Sequence, residues 1–402
     1  MTVKIGDKMD KNKENVPKIR FPGFTSPWEQ RKVKDIFKVT RGYVLAATET
    51  MDKKTDEMPY PVYSSQTKDN GLMGYYKDFL YENAITWTTD GANAGTVNYR
   101  DGKFYCTNVC GVLLSDDGYA NKMVSEALNN ISCKHVSKVG NPKLMNNVMS
   151  EIVVSLPKTI EEQNIISDLL NRLDNLINLH QRKLNHLQDK KKSLLQKMFP
   201  KNGECFPELR FPGFTDPWEQ RNWEETADIS TNMVDPKTGS YDELPHIGPG
   251  NIESFTGKIL DNVMKVKDSN LISGKFHFYK GDIIYGKINP QLGKYAIAPF
   301  EGLASADSYI LNTKNGVVQN FLYSVLQTND FYKYSVSVST RTGMPKINRD
   351  ELNVYNYKAP KTEEQTRIGN LFVELDHLIV LHQRKLNHIK EQKKSLLQQM
   401  FI

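Results

Sequence analysis

The stretch His180-Gln181-Arg182-Lys183-Leu184-Asn185-His186 decides the fold, because it returns unchanged as His382-Gln383-Arg384-Lys385-Leu386-Asn387-His388 at an offset of 202 residues (382 − 180). Each copy lies inside a long helical pattern, 161–199 and 363–401, in which most aligned residues are identical. In alternating steps of four and three, the first pattern reads Ile166, Leu170, Leu173, Ile177, His180, Leu184, Leu187, Lys191, Leu194, Met198. The second reads Ile368, Phe372, Leu375, Ile379, His382, Leu386, Ile389, Lys393, Leu396, Met400. Apolar residues at this spacing form the seam of a coiled coil. Two polar breaks fall at matched places, His180/His382 and Lys191/Lys393, with Leu184 and Leu386 in the seam between them. A polar seam residue commonly fixes register. That role is expected of the histidines, ahead of metal binding or catalysis. The runs Lys190-Lys191-Lys192 and Lys393-Lys394 are expected to be solvated or to face a partner.

Direction follows from connectivity. The first helix leads into the second variable region, and the second helix starts where that region ends. To bury its seam on the first, the second must run back, so the pair is expected to be antiparallel. A helix of about 39 residues is ~58 Å long at ~1.5 Å per residue. Two domains at opposite ends of a rod, related by a pseudo-two-fold axis, follow from that geometry. Ile402 should then lie near Pro17.

A second repeat opens each half. Pro17-Lys18-Ile19-Arg20-Phe21-Pro22-Gly23-Phe24-Thr25-Ser26-Pro27-Trp28-Glu29-Gln30-Arg31 returns as Pro207-Glu208-Leu209-Arg210-Phe211-Pro212-Gly213-Phe214-Thr215-Asp216-Pro217-Trp218-Glu219-Gln220-Arg221. Rich in proline, glycine and aromatics, it makes a poor helix. Phe21, Phe24 and Trp28 are expected to pin it to a domain surface. A third landmark closes each variable region: Gly140-Asn141-Pro142-Lys143-Leu144 and Gly343-Met344-Pro345-Lys346-Ile347. Between landmarks the halves share little. The first carries β-rich runs at 60–63, 84–89, 95–99 and 111–114, the second at 281–285, 295–298 and 308–311, with a helix expected over 320–334. The fold class is α+β: two α/β recognition domains separated by two long helices forming an antiparallel coiled coil. The expected segments are a flexible tail 1–16, a first domain with its opening motif 17–158, a spacer helix 159–200, a second domain with its motif 201–360, and a second spacer helix 361–402.

Composition narrows the function. The chain has 402 residues, 25% charged and 39% apolar, as expected of a soluble protein with two or three cored domains. No apolar run approaches the ~20 residues of a membrane span. The polar start has no signal-peptide core, so a cytoplasmic location is expected. Four cysteines do not suggest a disulfide framework, and Cys106, Cys110, Cys133 and His135 are poorly spaced for zinc. A net charge of +6 is a weak hint of a polyanionic partner, concentrated in the repeats. Gly281-Asp282-Ile283-Ile284-Tyr285-Gly286-Lys287-Ile288 nearly matches a phosphate loop, but Ile288 lacks the metal-binding hydroxyl and the β-branched interior reads as a strand. No Gly-x-Ser-x-Gly elbow, His-Glu-x-x-His helix, paired Cys-x-x-Cys or Asn-Pro-Pro-aromatic motif is found. No catalytic residue, metal site or cofactor site is expected in this chain.

Two variable domains, each followed by a near-identical long helix, with the Pro-Trp-Glu-Gln-Arg motif, resemble the specificity subunit of type I restriction-modification enzymes. The resemblance implies that each domain reads one half of a bipartite, asymmetric double-stranded DNA site. It implies that the helices set the gap and dock two methylase subunits. Those would carry S-adenosylmethionine, and two restriction subunits would carry ATP- and Mg²⁺-dependent chemistry. Base-reading residues are then expected among polar groups of turn-rich loops. In the first domain these are Ser65, Gln66, Thr67, Lys68, Thr89, Asn93 and Lys143. In the second they are Lys287, Asn289, Gln291, Lys294, Arg341, Thr342 and Lys346. The other reading open to the sequence is a coiled-coil adaptor with two protein-binding domains.

Overall fold

The repeated pattern forms two uninterrupted helices, Ile160–Lys197 and Thr362–Met400. A computed structural model describes residues 16–65, 68–201, 203–339 and 343–401. Its contacts divide the chain into two units that cut across the linear segments: 1–179 with 386–402, and 180–385. Each unit thus holds one variable domain and a portion of both long helices.

Within each unit the helices run antiparallel. In the first, Asp174 of one helix pairs with Lys393 of the other, while Ile166 and Leu170 share a core with Met400. In the second, His180 meets His382 and Lys191 meets Asp376, so one residue number rises as its partner's falls. Leu184 and Leu386 are buried, as seam leucines should be. The two lysines at the polar breaks correct the expectation of solvated runs. Lys190, Lys192 and Lys394 are exposed, but Lys191 is buried on Asp376 and Lys393 bonds Glu126 (2.8 Å) and Asp174 (2.6 Å). An ammonium can enter a seam when a carboxylate meets it there. Two of these carboxylates, Asp174 and Asp376, are themselves 202 residues apart (376 − 174), whereas Glu126 comes from the first variable domain and has no counterpart in the repeat.

The opening motif closes each unit. It ends in a strand, Glu29–Lys32 or Glu219–Asn222, that pairs antiparallel with the strand entering the long helix, Val153–Leu156 or Asn356–Ala359. Its arginine forks onto a carboxylate in the first turn of that helix. Arg20 reaches Glu162 at 2.7 and 2.8 Å, and Arg210 reaches Glu364 at the same distances. The motif also receives the last turn of the other helix. The amide of Lys18 donates to the carbonyl of Gln399, and that of Leu209 to the carbonyl of Lys197. Trp28 packs edge-on to Phe401 (6.1 Å between ring centres), and Trp218 edge-on to Phe199 (5.8 Å). Truncating a buried tryptophan of this kind costs about 3–5 kcal/mol. The expected return of the chain end to the opening motif is seen at Phe401. Ile402 itself lies outside the described residues.

Among the described residues, the first domain is built on a six-stranded sheet. Its strands lie in the order Lys38–Arg41, Cys110–Leu114, Tyr81–Thr88, Val97–Cys106, Tyr60–Tyr63, Leu72–Tyr76. Helix Lys122–Ser132, capped by Asn121, packs on it. The second domain has a four-stranded sheet carrying Ile283–Gly286 and Ser308–Thr313, and a five-stranded sheet carrying Lys275–Phe278 and Gly302–Ala304. The near-phosphate-loop is strand Ile283–Gly286, buried on both faces. The helix expected over 320–334 is two helices, Gln319–Val325 and Asn329–Ser339. Thr328 divides them: its hydroxyl bonds the carbonyl of Val325 and receives the amide of Phe331, capping a new helix where periodicity alone suggested continuation. Matched helix positions serve the two domains differently. Ser167 accepts the amide of Met123 at 2.9 Å, whereas Gly369 admits the backbone of Asn320 and Phe321, which a Cβ would meet at 2.6 Å.

Among the described residues, no helix is long and apolar enough to cross a membrane, and no group of three His, Cys, Asp or Glu could hold a metal ion.

Candidate nucleic-acid interface

The third landmark forms the same structure in both units. In the first, the amide of Gly91 donates to Pro142 (3.0 Å) and that of Leu144 to Thr89 (2.8 Å), with Asp90 bridged to Lys143. In the second, the amide of Asn289 donates to Pro345 (2.7 Å) and that of Ile347 to Lys287 (3.0 Å), with Ile288 bridged to Lys346. Each landmark therefore zips onto the loop leaving a central strand of its domain. The sequence supplies the turn at the first: Gly91 has φ +92°, a left-handed conformation that glycine adopts without strain. At the second, Asn289 takes φ +47°.

This zipper gathers most of the described candidate residues at one corner per unit. In the first, Asn93 donates to the carbonyl of Ser65 at 3.0 Å, drawing in the loop after strand Tyr60–Tyr63. Lys143 is exposed beside Asp90, with Nζ 3.4 Å from Oδ1. Lys68 begins the short turn Lys68–Gly71. Thr89 sits deeper than a loop reader should: it is only 6% exposed and its hydroxyl donates to Asp90 Oδ2 at 2.7 Å. Gln66 and Thr67 lie outside the described residues.

In the second corner, Lys287 holds its ammonium 5.1 Å from the centre of the Tyr309 ring. Burial, with Lys346 and Arg349 nearby, pulls Lys287 below the usual lysine range, against the opposing pull of Asp307. Gln291 lies against Asn289 at 3.4 Å, and Lys346 is exposed. Lys294 is committed elsewhere, its ammonium donating to the carbonyl of Ile252. Arg341 and Thr342 lie outside the described residues. Arg349 and Asp90 belong to these corners although the sequence reading passed over both. Arg349 donates to the carbonyls of Ile229 and Ser230 (2.8 and 2.7 Å) and lies over Tyr309. Its signal was position, just after the second landmark. For Asp90 the signal was the Asp-Gly turn itself.

The corners differ in charge. The first pairs one carboxylate with one lysine, whereas Lys287, Lys346 and Arg349 gather at the second with the carboxylate of Asp307 opposing them. A polar, donor-rich corner on a rigid frame suits hydrogen bonding to base edges and phosphates. On the helices, Leu176 and Leu179 are 44% and 49% exposed, and their counterparts Leu378 and Leu381 are 43% and 44% exposed.

The repeated frame thus carries two unlike polar corners, one in each unit. The comparisons with known proteins name the kind of protein. The type I restriction modification DNA specificity domain matches this sequence twice, over residues 25–189 and 216–391, and the chain belongs to that family. It is 28% identical over 289 residues to the EcoDI specificity subunit of Escherichia coli, covering 65% of this chain and 64% of that protein. The chain thus matches just under two thirds of that relative's length. It is 36% identical over 170 residues to the MpnII specificity subunit of Mycoplasma pneumoniae, covering 42% of this chain and 49% of that protein. Its fold is that of the type I restriction-modification S subunit from M. genitalium, with a TM-score of 0.71 at 14% identity over 96% of this chain and 99% of the other.

Proposed function

We propose that this chain is the DNA-binding specificity subunit of a type I restriction-modification complex. Each unit reads one half of a bipartite, asymmetric double-stranded site. The observation that carries the reading is the contrast between a shared zipper and unlike corners, because two different readers on one frame suit a non-palindromic site. Ser65, Lys68, Asn93 and Lys143 in the first unit, and Lys287, Asn289, Gln291 and Lys346 in the second, are the proposed contacts. Gln66, Thr67, Arg341 and Thr342 are proposed on sequence alone. Thr89 and Lys294 act as supports for their neighbours.

In this reading the chain performs no catalysis. Two methylase subunits bring S-adenosylmethionine, and two restriction subunits bring ATP- and Mg²⁺-dependent translocation and cleavage, in the cytoplasm. The methylases dock on the exposed leucines at 176, 179, 378 and 381. Leucines turned away from a seam yet repeated in both helices suit apolar docking. The long helices set the gap between half-sites.

The test is protection of DNA by the purified chain with its methylase partner. A gapped, two-part footprint is expected. A complex without sequence preference would favour the adaptor reading, and methyl transfer or cleavage by the chain alone would overturn the non-catalytic one.

A further inference from the structure

Resting on the reading of these corners as DNA-facing, we propose that Asp90 is the discriminating residue of the first unit, selecting a base that offers an exocyclic amino group in the major groove. The second unit selects an acceptor-bearing base at its own corner.

Equivalence of position carries the first step. Asp90 and Ile288 occupy the same station, each bridged to the lysine of its landmark and flanked by the same two backbone hydrogen bonds. What the stations share, Lys143 and Lys346, cannot distinguish one half-site from the other. A lysine that both readers carry suits the phosphates, which every sequence presents. What differs is the facing residue, a carboxylate in one unit and an isoleucine in the other.

Chemistry carries the second step. A carboxylate near phosphates is electrostatically unfavourable unless a specific donor meets it. Asp90 is nonetheless held in readiness. The buried Thr89 hydroxyl orients Oδ2 at 2.7 Å, Lys143 stands 3.4 Å from Oδ1, and the side chain stays 32% exposed. An ionised aspartate only accepts hydrogen bonds, and each oxygen has more than one lone pair. The base it addresses must therefore donate. In the major groove only cytosine N4 and adenine N6 do so, because guanine and thymine present acceptors there. The second corner inverts this logic. Lys287, at the station that Thr89 holds in the first unit, only donates, which suits guanine N7 and O6.

The experiment measures binding of the chain–methylase complex to DNA libraries randomised at each position of the site. Asp90→Ala should erase a preference for cytosine or adenine at one position of one half-site, roughly tenfold to a hundredfold. Preference in the other half-site should stay intact. Asp90→Asn, nearly the same size, guards against a folding artefact and should shift the preference at that same position. Replacing the selected base by an analogue without its amino group should weaken wild type but not Asp90→Ala. The proposal is overturned if the position selected is guanine or thymine, if Asp90→Ala keeps every preference, or if it weakens all sequences equally. A wild-type complex with no sequence preference would instead sink the DNA reading itself.

Discussion

Lys191 and Lys393 hold matched places in the repeat, yet removing them should cost different amounts. Lys191 is the cation facing Asp376, which also meets the Tyr323 hydroxyl at 3.3 Å and the side chain of Gln327. Lys393 shares Glu126 and Asp174 with Lys122, which lies 3.0 and 2.9 Å from those carboxylates. Lys191→Ala therefore strands a buried carboxylate, a change that costs about 3–5 kcal/mol. Lys393→Ala leaves Lys122 in place and should cost only the roughly 1.5–3 kcal/mol of lost charge-assisted bonds. The pH dependence should also differ in sign. Burial raises Asp376 above its ordinary 3.8 despite Lys191. The folded state thus holds that proton longer than the unfolded one, and this group's contribution to stability falls as pH rises through the window above 3.8. Burial also opposes ionisation of Glu126 and Asp174, but the two lysines hold both below their ordinary 4.5 and 3.8. Their contribution is complete above those values and is lost as pH falls through the depressed ones. Urea unfolding, with hydrogen exchange localising the loss to 191–197 or 386–393, measures both effects. Adding Asp376→Asn to Lys191→Ala should recover stability by removing the stranded charge. Equal costs for the two lysines, or no recovery in the double variant, would refute this account of the seam.

Other outcomes follow from the same structure. Inserting seven residues into both long helices should lengthen the gap between half-sites by several base pairs in a methylation footprint while both half-sites persist; an unchanged gap would end the ruler reading. Leu176→Asp with Leu378→Asp should weaken methylase assembly in gel filtration without lowering the melting temperature, because both leucines are exposed. Leu184→Asp with Leu386→Asp should instead lower the melting temperature, because both are buried. His180 and His382 meet Nδ1 to Nδ1 at 3.0 Å, so one ring donates and the other must be neutral. Burial, with His180, Lys183 and Lys385 nearby, holds His382 below its ordinary 6.5. The unfolded chain then takes the proton first, so stability should be full above pH 6.5 and fall as pH drops below it. Replacing both histidines by asparagine should flatten that slope in thermal melts.

The frame was far more legible than the site. Periodicity is a property of sequence, so the seam and its polar breaks could be read from Ile166 to Met400, and chain connectivity added the direction. The partners of the breaks could not. Glu126 reaches Lys393 across 267 residues, and no local pattern announces such a pairing. The helix break at Thr328 was hidden for a different reason, because a threonine hydroxyl caps one helix as readily as it decorates another. At the corners, residue type suggested Thr89 and Lys294 as readers, but burial and backbone bonds decide which donors remain available. Asp90 escaped notice because a search for contacts to a polyanion favours donors, and its value lies in being an acceptor.

The two opening motifs seat the two helix ends through the same parts: an arginine fork, a tryptophan and a phenylalanine from the last turn. They are interchangeable sockets. Each variable domain adds contacts of its own to the helices, as at Ser167 in one unit and Gly369 in the other. Recombination between the repeated stretches would exchange one reader for another and leave the joints unchanged. Duplication preserves the joints in sequence, and what they hold is free to diverge.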